Sequence, residues 1–361
     1  QQHVDQRDHV DLELVLAFHH LARGDSAAAL PLFERLSASL SNDPSVWLGL
    51  ERAARRENRP DLEVAALTAR AEQTTSDERA SLLWEKAGDL HRDPLERLDL
   101  AETAYCAALA RNPRSSSAFE RVYRLAKARG DRARLFELID GRLDVALDAR
   151  ARGELLWEKA RLSRHLGRRS AALRALEQLL ELEPDHLRAL ALSAEMHLVD
   201  ERLERAAEAL RAVALHADTP AEETRAAGLH ATDLFERLHR PREAVELLEA
   251  LETRGVDEAL LVERTARSAA RAGNWQVAYQ ASQRWNDASD VLAERLQSAR
   301  MMLALQRDHL REPRALEDAA RRVLRDAPVD TDAVDVVLAG NFSPDERARL
   351  LGVPLEDTVR K

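Results

Sequence analysis

The sequence predicts an all-α protein assembled from repeated helix pairs, on three observations. Apolar residues recur at helical spacing nearly throughout, as in Leu173, Leu176, Leu179 and Leu180, which lays one apolar stripe along each segment. No stretch of six residues alternates in the manner of a half-buried strand. The hexapeptide Leu82-Leu83-Trp84-Glu85-Lys86-Ala87 returns 73 residues later as Leu155-Leu156-Trp157-Glu158-Lys159-Ala160. That separation holds about two periods of 36 to 37 residues, and a period of roughly 20 to 50 marks stacked repeats.

The elements follow in order. Gly24-Asp25-Ser26, with Ala29, Phe33 and Leu36 after it, reads as the turn and second helix of a unit over 10–43. A more weakly patterned unit occupies 44–76. In 77–114 the first helix carries Trp84, and Asp93-Pro94 lies in an extended turn; Trp84 to Pro113 is two residues longer than Trp157 to Pro184. Gly130-Asp131 turns the unit over 115–152. The clearest unit spans 153–186: a first helix through Leu166, a turn at Gly167, a second helix with Ala172, Leu176 and Leu179, then Pro184. Glu201, with Ala206, Leu210 and Val213, repeats this over 187–220, and a unit over 221–256 follows. Gly273-Asn274-Trp275, with Ala278, Ser282 and Trp285, does so over 257–286, and a weaker unit closes at 328. Residues 329–361, with Val336, Val337 and Leu338 and a short helix over 344–351, read as a cap on the last apolar face. Asp93-Pro94-Leu95-Glu96, Thr219-Pro220-Ala221-Glu222 and Ser343-Pro344-Asp345-Glu346 each offer a cap oxygen, a proline at the first helical position and an acid three residues after the cap, so each is expected to start a helix.

The offsets in 153–186 resemble those of the tetratricopeptide repeat (TPR) family, whose 34-residue pattern places a turn Gly, a small residue, two apolar residues and a late Pro at these intervals. The need is physical: where two helices cross closely only a small side chain fits, and Pro belongs at the start or outside of a helix. The resemblance covers roughly 10–328 as about nine degenerate antiparallel pairs, like a bacterial-type tandem array, with Ala160 where the family often has Gly. It implies a right-handed α-solenoid whose first helices line a concave groove that binds partners.

Composition narrows the function. Lys plus Arg total 54 against 64 Asp plus Glu, a formal charge of −10, which opposes bulk attraction to nucleic acid or anionic membrane. Gly and Pro number 12 each, so loops are short and long lids are not expected. Cys106 is the single cysteine, which excludes an intrachain disulfide and a multi-cysteine metal site; on a second helix it reads as a small buried hydrophobe. No apolar run approaches membrane-spanning length. Dinucleotide-binding glycines, a P-loop, a zinc-protease helix and a nucleophile elbow are all missing. His19 and His20 are adjacent, about 100° apart on a helix, and cannot chelate as an i, i+4 pair would. The expectation is therefore no enzyme, no cofactor and no metal.

What remains is a surface. The family's groove-facing offsets, carried onto the first helices of units two to five, collect Arg52, Arg55, Arg56, then His91 and Arg92, then Arg124 and Lys127, then Arg161, Arg164 and His165, a basic row in an acidic chain. Further on they collect a mixed set: Glu195, Asp233, Glu236, Arg237, Glu263, Arg267 and Arg271. Register leaves Trp84 and Trp157 open between groove and core. The family's carboxylate clamp is not matched, since Trp157, Arg161 and Leu192 occupy its positions.

The reading is a non-catalytic scaffold that holds a partner peptide or helix, with an acidic segment suited to Arg52, Arg55, Arg56, Arg92, Arg124, Lys127, Trp157, Arg161, Arg164 and His165, or that stacks into a larger assembly. The alternatives are an RNA-binding helical repeat, opposed by the net charge, and a helical support in an enzyme complex. One unpaired cysteine and no visible export segment favour the cytoplasm. The start at Gln1-Gln2 without Met leaves a processed, periplasmic chain as the alternative.

Overall fold

A computed structural model of the chain describes residues 2–145, 148–256, 258–340 and 342–351. Contacts divide the chain into two compact units, 1–175 and 176–361. In the first, α1 (Gln2–Ala22) pairs with α2 (Ser26–Ser39), α3 (Pro44–Arg56) with α4 (Pro60–Gln73), α5 (Asp77–Arg92) with α6 (Leu98–Arg111), and α7 (Ser116–Arg129) with α8 (Arg132–Leu143). Then come α9 (Ala149–His165) and α10 (Arg169–Leu182), inside which the division falls. In the second, α11 (Leu187–Val199) pairs with α12 (Leu203–Leu215), α13 (Ala221–Arg237) with α14 (Pro241–Thr253), and α15 (Glu258–Arg271) with α16 (Trp275–Ala288). Next, α17 (Leu292–Leu305) runs into a π-helical turn (Gln306–Leu310) and pairs with α18 (Pro313–Asp326), followed by α19 (Thr331–Ala339) and α20 (Pro344–Leu350). The chain is all-α, and no strand occurs among the described residues.

Each pair reverses through one left-handed residue. Gly24, Gly130, Gly167 and Gly273 adopt φ between +69° and +82°, and Asn58, Glu96, Glu201, His239 and Arg311 adopt φ between +52° and +60° at the equivalent turns. Glycine does so without steric cost, whereas a side chain there is strained. The same bonds close both kinds of turn: Asp131 N–H donates to Ala126 O at 3.1 Å, and Arg59 N–H donates to Ala54 O at 2.8 Å. Successive left-handed residues are 34, 38, 34, 37, 34, 38, 34 and 38 residues apart. A short and a long spacing thus alternate; Glu96 and Gly167 are 71 residues apart, and the remaining two residues between the hexapeptides lie in the longer stretch from Trp84 to its turn.

Two expected helix starts differ. Asp93 ends α5 instead, Glu96 takes the left-handed turn position, and α6 begins at Leu98 without a side-chain cap. Pro220, not Thr219, is the N-cap of α13, and the Thr219 hydroxyl donates back to Val213 O at 2.7 Å. Ser343 forms the expected capping box with Glu346. Val336, Val337 and Leu338 of the expected capping segment belong to helix α19.

Packing follows the small residues. Phe33, fully buried, lies against Gly49 and meets Phe18 edge-on at 5.1 Å. Tyr105 covers Gly88 in the same way, and Leu251 covers Gly228. Ala172 is fully buried. Ala333 and Val337 of α19, with Phe342, complete an apolar cluster on Ala319 and Val323 of α18.

Candidate functional site

The first helices owe their exposed basic residues to their own periodicity. In α3, Asp43 caps the start by accepting from Ser45 N–H at 2.8 Å; Val46, Leu50, Ala53 and Ala54 turn inward, which leaves Arg52, Arg55 and Arg56 outward. In α7 the same logic buries Ala118, Val122 and Ala126 and exposes Arg124 and Lys127. In α9 Leu156, Ala160 and Leu162 are buried, and Arg161, Arg164 and His165 are exposed.

Several of these cations are already engaged within the chain. Arg55 donates to Glu51 and to Glu63, each at 2.7 Å, and both carboxylates are buried. Arg56 donates to Leu21 O at 3.0 Å and so satisfies a terminal carbonyl of α1. Half-buried Arg92 pairs with Asp93 at 2.7 Å and Asp89 at 3.7 Å; its hydrogen bond to Asp93 raises the arginine pKa and lowers that of the acid. Arg124 pairs with Glu120 at 3.3 Å and Arg161 with Glu158 at 3.2 Å. Arg52, Lys127 and His165 make no ion pair among the described residues.

An unexpected polar knot places α5 beside α7. Buried Glu85 accepts from Ser115 Oγ at 2.7 Å, Ser117 Oγ at 2.6 Å and Arg121 Nη1 at 2.8 Å. Asp89 accepts from Arg121 Nε at 3.0 Å and from the Tyr105 hydroxyl at 2.8 Å. Burial, then the bond to Asp89, pushes the Tyr105 pKa up. In the second copy of the hexapeptide, Glu158 accepts from Tyr123 of α7 at 3.4 Å, which sets α9 beside α7 on its other side. Each hexapeptide glutamate therefore ties neighbouring first helices together. Nothing in the sequence marks Arg121 or Tyr123 as its partner, because they stand 35 or 36 residues away.

The structure thus brings Arg124, Lys127, Arg161, Arg164 and His165 onto adjacent helices, with half-buried Trp157 between core and surface. The α3 group lies apart, tied to α1 and α4. Trp84 is half-buried and packs on Val64, Leu67 and Ala87. In the second unit two pairs form within the mixed-charge set, Glu236 with Arg271 at 2.9 Å and Glu263 with Arg267 at 2.6 Å, and Asp233 pairs with Arg264 outside it.

Two more side chains have defined partners or surroundings. Cys106 is half-buried rather than buried, and Arg134 Nη2 donates to its Sγ at 3.1 Å. His20 binds Asp25 at 3.2 Å. Among the described residues no cluster of three or more His, Cys, Asp or Glu could hold a metal ion, and no helix is long and apolar enough to cross a membrane.

No family model matches the chain, and no curated protein does. Solved structures of TPR proteins are similar to it at low identity. The C-terminal part of a TPR repeat-containing protein from Cytophaga hutchinsonii is 13% identical over 90% of this chain and 98% of that one, with a TM-score of 0.27. YrrB, described as a TPR protein with an unusual peptide-binding site, is 15% identical over 61% of this chain and 99% of that one, with a TM-score of 0.33. The TPR2AB domain of yeast Sti1, in a complex with pHSP90, is 14% identical over 76% and 99%, with a TM-score of 0.29. The repeated helix pairs of this chain rest on their own turns and packing.

Proposed function

We propose that the chain is a non-catalytic protein-interaction scaffold that holds an acidic segment of a partner protein on the exposed face of α7 and α9. One observation carries the reading: in the first unit cations occupy the exposed positions of neighbouring first helices, whereas in the second carboxylates share the corresponding positions. Arg161 and Arg164 stand where α13, 72 residues on, has Asp233 and Glu236. Arg124 and Arg161 hold only exposed or half-exposed glutamates of their own helices, and such pairs are weak enough, roughly 0.3 to 0.5 kcal/mol, to yield to a partner carboxylate. A carboxylate gripped by a guanidinium fork gains about 1.5 to 3 kcal/mol per bond when partly desolvated, and Trp157 adds apolar contact beside it. Arg52, Arg55, Arg56 and Arg92 lie apart from this face on α3 and α5 and would add contacts to a longer partner segment that reaches the N-terminal end of the unit.

Selection of a displayed random-peptide library on the full chain tests this. Enriched peptides should carry acidic runs, and Arg161→Glu with Arg164→Glu should weaken them and flatten their salt dependence. Arg174→Glu, exposed on α10, should change little. Equal losses from both sets would refute a located site, and unchanged binding after the α9 reversals would move the interface elsewhere.

A further inference from the structure

On the opposite helices of the same unit, a cavity of about 300 Å³ opens between α6, the start of α7 and α8. Leu109, Pro113, Phe119 and Leu138 supply apolar walls, and Cys106 contributes its thiol. Two guanidinium groups line the cavity, and their circumstances differ. Arg134 is balanced, since it pairs with Glu102 at 3.3 Å and Glu137 at 3.2 Å. Arg142 is nine-tenths buried, and no carboxylate lies within ion-pair distance of it among the described residues. Its donors reach only neutral acceptors, Pro113 O at 2.7 Å and Ser116 Oγ at 3.0 Å, and its cation sits 5.4 Å from the centre of the Phe119 ring. Burial alone acts on this group, and it lowers the pKa.

A buried charge without a counter-charge is costly, and a guanidinium carries five N–H donors, of which two are used here. We propose that this cavity binds a small organic anion, an apolar body ending in one carboxylate, with the carboxylate seated on the remaining donors of Arg142. The volume stands at the lower end of the roughly 300 to 1,000 Å³ typical of ligand pockets, which suits a phenylalkyl acid better than a long chain. Glu137 also lines the cavity and is held by Arg134 at 3.2 Å, so apolar walls with Arg142 as the one cation lacking a counter-charge would orient such a ligand by its head group. Gly141 also lines the cavity, and a Cβ added there meets nothing within 4 Å. The site is independent of the α7 and α9 face.

Titration calorimetry of the full chain with 4-phenylbutyrate, and with 4-phenylbutan-1-ol as its neutral counterpart, tests the proposal. The acid should bind saturably and at least tenfold more tightly than the alcohol. Arg142→Met should bring the acid down to the level of the alcohol, and Gly141→Leu, which adds a bulky side chain to the lining, should weaken binding of both at least tenfold. Circular dichroism checks that each variant folds; if Arg142→Met does not, the acid-to-alcohol ratio and Gly141→Leu decide alone. Absence of saturable acid binding, equal binding of acid and alcohol, or undiminished binding by either folded variant would overturn it.

Discussion

Replacing Gly88 by Ala should destabilise the protein, although alanine is the better helix former. The added Cβ would lie 2.4 Å from Tyr105 Cε1 and 2.6 Å from Cδ1, where carbon atoms prefer about 3.5 to 4.0 Å. The ring cannot simply withdraw, because it is fully buried and its hydroxyl donates to Asp89 at 2.8 Å. Overpacking of this kind costs about 1 to 3 kcal/mol, and disturbing a hydrogen bond to a charged group costs about 1.5 to 3 kcal/mol more. Against this stands a helix-propensity gain of about 1 kcal/mol. The net loss should be about 1.5 to 5 kcal/mol, a fall of several degrees in melting temperature. Gly141→Ala is the matched control, since its Cβ meets nothing within 4 Å; it should stabilise by about 0.5 to 1 kcal/mol. Thermal and urea unfolding of both variants, repeated in a Tyr105→Ala background, measure the coupling. If Gly88→Ala matches or exceeds the wild type, or if its penalty survives loss of the Tyr105 ring, the close crossing of α5 and α6 is not what excludes a side chain.

Two further outcomes follow from buried positions. Ala172→Leu should cost about 1 to 3 kcal/mol, because the alanine is fully enclosed, and an unchanged melting temperature would show that its surroundings have room for three more carbons. His197 is 4% exposed, and burial first, then Arg205 and Arg202, holds its pKa below 6.5. The unfolded chain therefore takes up this proton first as pH falls, so stability is full above about pH 6.5 and declines below it, by at most about 1.4 kcal/mol per pH unit. Urea unfolding at pH 7.5 and 5.5 should show a shallower loss for His197→Leu than for the wild type, and parallel losses would count against it.

The architecture was legible because glycine announces a left-handed turn. Gly24, Gly130, Gly167 and Gly273 marked turns in the sequence and hold positive φ in the structure. Asn58, Glu96, His239 and Arg311 do the same work invisibly, since nothing local distinguishes a side chain held there by strain from one at ease. Asp93-Pro94 misled for a related reason: cap and proline chemistry serves a turn as well as a helix start. At the candidate site, helical spacing revealed which arginines face outward. It could not reveal which are already engaged, because Arg56 meets α1 across 35 residues and Arg121 meets Glu85 across 36. The knot around Glu85 therefore came from the structure, although the repeated hexapeptide had drawn attention to that residue.

Hydrogen exchange on the full chain, with and without an acidic peptide selected for binding, tests the central claim most directly. The account predicts slowed exchange in α7 and α9, extending toward α3 and α5, with α13 and α15 unchanged. Protection confined to the second helices, or to α13 and α15, would contradict it.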